Sequence, residues 1–179
     1  EVVMGCIGQV GPDAYNARRV GVAAGLPTRT PAFTVNRLCG SGLQAIRSAA
    51  QEIHWGSASI ALAGGDESMS RMPFYDFGAR AGYRLGDRTL VDGTVMMLTD
   101  PFHGIHMGVT AENVAKAHGI TRDMQDALAL ASQQKAAAAQ DAGRFVDEIV
   151  PFSIAQKKGD PIVFAADEFI NRKSNAEVL

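Results

Sequence analysis

The residues best placed to do chemistry are Val35-Asn36-Arg37-Leu38-Cys39-Gly40-Ser41-Gly42-Leu43-Gln44, which put a cysteine where an extended apolar run gives way to a helix. Pro31-Ala32-Phe33-Thr34-Val35 reads as a short buried strand, and Leu43, Ile46, Ala49, Ala50 and Ile53 recur at helical spacing. Cys39 is therefore expected beside the first turn of a helix, where unpaired backbone N–H groups and the positive end of the dipole favour a thiolate. Gly40, Ser41 and Gly42 leave little bulk around the sulfur, so a substrate carbonyl can approach closely. The chemistry this suits is nucleophilic acyl transfer. A lone buried cysteine packed under a helix is the competing reading, and the glycines with the strand-to-helix position weigh against it.

Other groups are weaker candidates. Asp66 and Glu67 could form an acid–base pair, but adjacent positions on a strand point to opposite faces. Ser68 and Ser70 lack a GxSxG elbow. The four histidines show no zinc-ligand spacing, and neither HExxH nor CxxC occurs, so no metal site is expected. Cys6 falls in a strand pattern and reads as packing. Two cysteines are too few for a disulfide scaffold, which suggests a reduced, cytoplasmic protein.

The elements that must position Cys39 follow from periodicity. A strand is expected over residues 1–7, a helix from about Arg18 to Ala24 capped by Asn16 and closed by Gly25 and Pro27, a strand over 32–36 and a helix over 40–54. A third strand over 59–63 would be stopped by Gly64-Gly65. This βαβαβ order with apolar strands predicts an α/β fold on a parallel sheet, with ligands outside the carboxyl ends of the strands. Cys39 and the Gly64–Ser68 stretch both fall there. From about residue 69 the character changes to a long Arg-, Gly- and Met-rich excursion. Helices are then expected over 107–118, ended by Gly119, and from the Thr121 cap to the Gly143 stop. Short apolar runs at 148–150 and 162–164 alternate with turns. The formal net charge of −2 offers no basic stripe for nucleic acid, and no apolar run approaches the roughly 18 residues of a membrane span.

The block from Val35 to Ile46, the Gly64–Phe74 stretch and the long Leu98–Gln133 block that includes His106-Met107-Gly108-Val109-Thr110-Ala111-Glu112-Asn113 together resemble the thiolase family, over essentially the whole chain. The likeness is strongest to acetyl-CoA acetyltransferases and short-to-medium-chain β-ketothiolases of bacteria. The resemblance implies a thiolase-like α/β fold. Residues 1–68 would be a partial N-terminal domain carrying the nucleophile, and residues 69–179 a loop domain that covers coenzyme A. It also implies acyl transfer through a thioester on Cys39 that forms or cleaves β-ketoacyl-CoA such as acetoacetyl-CoA. The Cys39 N–H would be one oxyanion donor, with Leu98, His106 and Met107 lining the pantetheine channel. Acyl-CoA and coenzyme A would be substrates, with no metal or redox cofactor, in a homodimer or homotetramer of fatty-acid metabolism. The same likeness gives Asp66 and Glu67 a supporting role in the turn below the site.

The family's second-half GHP histidine and Asn-Glu-Ala-Phe strings do not occur in these residues. The reading is thus an N-terminal piece that is inactive alone. A non-catalytic coenzyme A-binding or assembly fragment is the alternative.

Overall fold

A computed structural model describes residues 1–177. Three strands, β1 (Val2–Gly5), β2 (Ala32–Val35) and β3 (Leu62–Gly65), form a parallel sheet in the order β2-β1-β3. Their connections carry helices α1 (Asn16–Ala23) and α2 (Ser41–His54). Parallel strands need such crossovers, because a tight turn cannot bring the chain back in the same direction. The predicted βαβαβ unit is present, with shifted boundaries.

The largest shift concerns β3. Gly64 and Gly65 belong to the strand, in register with Met4 and Gly5, whereas residues 59–61 precede it. Glycine is a poor strand former, and here a Cβ on Gly64 would press on the Met4 side chain and one on Gly65 on the Gly5 carbonyl oxygen at 3.3 Å. Asn16 is the first residue of α1 rather than its cap, and a short 3-10 turn, Gly11–Tyr15, leads into the helix. The Asn16 side chain is instead spent on Asp66.

The core of the sheet unit is small. Val2 and Val3 are fully buried, and Ala17, Ala45 and Ala49 close over them with Phe33, Val35 and Ala61 partly covered. Ser41, Ala45 and Ala49, four apart, make the face of α2 that lies on the sheet. Small side chains let the helix sit close. The larger residues of the same helix, Leu43, Ile46 and Ile53, are exposed, so the stripe expected at the core divides and only its Ala49 turns inward.

The Met69–Asp100 stretch forms short pieces, as its weak periodicity predicts. They include a two-residue ladder between β4 (Phe74–Tyr75) and β5 (Val91–Asp92), and α3 (Gly93–Met97). Asp92 caps α3 by accepting from the Thr94 and Val95 amides. Helices α4 (Met107–His118) and α5 (Arg122–Asp141) stand where the caps put them. Gly119 and Gly143 follow with positive φ, and Thr121 Oγ1 accepts from the Met124 amide at 3.3 Å. The last elements are an antiparallel pair, β6 (Phe152–Ile154) and β7 (Ile162–Phe164). The apolar run at 148–150 is not a strand; the Ile149 amide donates to Phe145 O in a helical turn.

The chain divides into two compact units, Glu1–Val109 and the part from Thr110 on. The change of character after residue 68 falls inside the first unit. No helix among the described residues is long and apolar enough to cross a membrane.

Candidate active site

Cys39 is exposed and lies just before Gly40, the N-cap of α2. Gly40 supplies no side-chain acceptor to the helix start. The tight link between β2 and α2 is built by two side chains. Ser41 Oγ accepts from the Arg37 amide at 2.8 Å and donates to Leu38 O at 2.6 Å. Asn36 Oδ1 accepts from the Leu38 amide at 3.0 Å. The turn drives Leu38 to φ 47°, a left-handed conformation rare for a branched apolar residue. Such strain costs about 1–2 kcal/mol, held here by the hydrogen bonds around it. The two substitutions Leu38→Asn and Leu38→Val should therefore differ in unfolding free energy by about 1 kcal/mol, Asn the more stable. Equal thermal midpoints would show an unstrained turn.

Cys39 lines a cleft of ≈ 350 Å³. Its lining joins the carboxyl end of β1 (Gly5, with Cys6 and Ile7 following), the first residues of α2 (Ser41, Gly42) and the end of β3 (Gly65, then Asp66 and Glu67). The cleft thus lies at the carboxyl edge of the parallel strands, bordered by a helix N-terminus, which is where such sheets bind ligands and anionic groups.

Asp66 and Glu67 lie beyond the end of β3, so the strand rule that separates neighbours does not apply, and both line the cleft. Both already accept hydrogen bonds from amide donors. Glu67 accepts from the Ile7 amide at 2.8 Å and the Gly8 amide at 2.9 Å, one bond to each oxygen. Asp66 accepts from the Asn16 amide group. Glu67 thus fastens the turn after β1, and Asp66 the first residue of α1.

Cys6 is buried just past β1, with its Sγ donating toward Glu67 Oε1 at 3.9 Å. Burial, followed by the Glu67 carboxylate, pushes its thiol up to about 11. At pH 8 iodoacetamide should therefore modify Cys39 at least about 100-fold faster than Cys6. The folded-state value lies above the ordinary thiol value of about 9, so the stability held by the neutral thiol is whole below that pH and falls as pH climbs toward 11. Peptide mapping after timed alkylation and thermal melts from pH 8 to 11 check both statements. Equal labelling of the two cysteines at pH 8 would contradict the first.

Leu98, His106 and Met107 form a second group. Leu98 ends α3, the Met107 amide donates to Leu98 O at 2.9 Å, and Thr99 pairs with His106 in an antiparallel bridge. His106 Nδ1 accepts from the Gly108 amide at 3.1 Å, so neutral His106 carries its proton on Nε2. These three residues are brought together, but they are not among those lining the Cys39 cleft. Among the described residues, no group of three or more His, Cys, Asp or Glu side chains is arranged to hold a metal ion.

The profile of the thiolase N-terminal domain matches residues 1–179. The chain belongs to the thiolase family. It is 52% identical over its whole length to an acetyl-CoA acetyltransferase of Chromobacterium violaceum and 50% identical to one of Cupriavidus necator, covering 46% of each. Among solved thiolase structures, the Bacillus anthracis acetyl-CoA acetyltransferase superposes with a TM-score of 0.93 at 39% identity, over 99% of this chain and 45% of that one. A human mitochondrial 3-ketoacyl-CoA thiolase in complex with CoA gives 0.90 at 40% identity, over 99% and 44%. The chain spans about half the length of the thiolase relatives it matches.

Asn36 and Ser41 build the turn that carries Cys39, a role that composition and periodicity do not mark. Ser41, four residues after Arg37, was open to a local reading as an ST-type turn. Asn36 also donates from Nδ2 to Ile7 O at 3.4 Å, a contact with no local sequence signal.

Proposed function

We propose that the protein is an acyl-CoA C-acyltransferase that forms or cleaves β-ketoacyl-CoA, such as acetoacetyl-CoA, through a thioester on Cys39. The observation that carries this reading is an exposed cysteine at the mouth of a cleft floored by Gly5, Gly42 and Gly65, beside the N-terminus of a 14-residue helix. Cys39 Sγ attacks the thioester carbonyl carbon, the bond from that carbon to the sulfur of coenzyme A breaks, and coenzyme A leaves as the thiol. The α-carbon of a second acyl-CoA, its proton passing to a base, then attacks the acyl carbonyl carbon, the bond to Cys39 Sγ breaks, and β-ketoacyl-CoA leaves as the sulfur regains a proton; cleavage runs these steps in reverse. One difficult carbon–carbon exchange is thereby divided into two thioester steps. The Cys39 N–H stabilises the oxyanion, a contribution typically worth about 3–4 kcal/mol.

Leu98, His106 and Met107 line the pantetheine arm in this reading. Met107 offers an unbranched, polarizable contact to a flexible thiol, and His106 presents an Nε2–H donor. Residues 1–68 carry the nucleophile, and residues 69–179 contribute to a loop domain over coenzyme A. The thioesters are substrates, and no metal or redox cofactor takes part. A cytoplasmic homodimer or homotetramer acting in fatty-acid metabolism is the accompanying proposal.

Incubation of the full-length protein with acetyl-CoA should add one acetyl group, mapped to Cys39 and removed by free coenzyme A. Stable acetylation elsewhere, with Cys39 unmodified, would overturn the reading.

A further inference from the structure

The two cysteines open onto the same cleft, and one side-chain amide joins the residues next to them. The Cys6 amide donates to Val35 O at 3.2 Å, which holds Cys6 against the end of β2. Asn36, the next residue, donates from Nδ2 to Ile7 O at 3.4 Å and accepts at Oδ1 from the Leu38 amide at 3.0 Å. Ile7 follows Cys6, and Leu38 precedes Cys39. A single carboxamide therefore spans the gap between the two cysteine-bearing segments.

The two thiols differ in the way that divides roles in thiol oxidation. Cys39 is exposed and meets an oxidant first. Cys6 is buried and held protonated by burial and by Glu67, so it is not itself an early target. Its Sγ points at Glu67 Oε1, a carboxylate oxygen able to receive the proton when the sulfur attacks.

We infer that Cys6 is a resolving thiol for Cys39, so that peroxide converts the pair to an internal disulfide across the cleft. Cys39 as thiolate takes one oxygen from hydrogen peroxide to give a sulfenic acid, and hydroxide leaves. Cys6 sulfur then attacks the Cys39 sulfur, the S–O bond breaks, and the oxygen departs as water with the Cys6 proton. Overall, two thiols lose two electrons and two protons, and one peroxide becomes two waters. The link needs Cα atoms within about 4.4–6.8 Å. The disulfide would keep Cys39 from the irreversible sulfinic and sulfonic acids. The inference stands apart from the acyl-transfer reading, because its readout is a covalent link and not turnover.

The test is to treat the purified, reduced protein with a small molar excess of hydrogen peroxide, block remaining thiols, and map peptides without reduction. The expected product is a peptide pair joined through Cys6 and Cys39, lighter by two hydrogen atoms and separated by dithiothreitol. In Cys6→Ser, and in Cys6→Ala should the serine disturb the buried position, Cys39 should gain two oxygens that dithiothreitol does not remove. Over-oxidised Cys39 in the unsubstituted protein with Cys6 still alkylatable would overturn the inference. So would a Cys39 link to another chain in place of Cys6.

Discussion

Cys39→Ala lowers the rate of acetoacetyl-CoA cleavage by the full-length protein about 10⁴-fold or more, with a much smaller change in the Michaelis constant. In the proposed reaction the sulfur holds the acyl group between the two half-reactions, and alanine leaves no nucleophile at the mouth of the cleft. Cys39→Ser fares little better, since a hydroxyl without an adjacent base is a weak nucleophile. The loss is chemical and not a folding effect. Cys39 is exposed, and a change at such a position costs stability within about 0.5 kcal/mol. Steady-state rates measured beside a thermal melt separate the two. Turnover within tenfold of the unsubstituted protein, with an unchanged melt, would remove Cys39 from the reaction.

Gly5→Ala destabilises the sheet unit by about 3 kcal/mol and slows alkylation of Cys39. A Cβ at Gly5 would stand 2.5 Å from the carbonyl carbon of Ser41, 2.6 Å from its oxygen and 2.8 Å from the Gly42 nitrogen. All three are backbone atoms, so no side chain can rotate aside. The first turn of α2 must lift from the end of β1, and it takes with it the Ser41 hydroxyl that closes the Arg37–Leu38 turn. Stability and cysteine reactivity therefore fall together. Gly42→Ala is the control, because a Cβ there meets nothing within 4 Å. In the helix it should add up to about 1 kcal/mol of stability through propensity. Denaturant melts and iodoacetamide rates on both variants check the contrast, and a Gly5→Ala protein as stable as the parent would show that α2 has room to move.

Much of the element order was legible because its signals are local. The alternation of apolar runs with helical periods, the Thr121 cap and the Gly119 and Gly143 stops each act within a few residues of the element they mark. The cysteine at a strand-to-helix turn was legible for the same reason. Element ends were less so. The Gly64-Gly65 pair reads locally as a break, yet it completes β3 because its partners, Met4 and Gly5, lie in a distant strand. Asn16 has the chemistry of a cap, but Asp66, 50 residues away, competes for its side chain and wins. The periodicity of α2 located an apolar stripe without saying which side meets the sheet. The close approach that Gly5 allows selects Ser41, Ala45 and Ala49 and leaves Leu43 and Ile46 outward.

The amino-acid order alone determined that a cysteine ringed by small residues would sit at the carboxyl end of a parallel strand, since a strand, a tight turn and a helix are each specified by neighbours. What surrounds that cysteine was decided by the tertiary structure. Glu67 fastens the Ile7 and Gly8 amides across 60 and 59 residues, and Asn36 reaches Ile7 across 29. Contacts of that kind have no period and no local motif. They exist because parallel pairing of β1 with both β2 and β3 brings three strand ends to one edge, where their polar groups must find partners in each other.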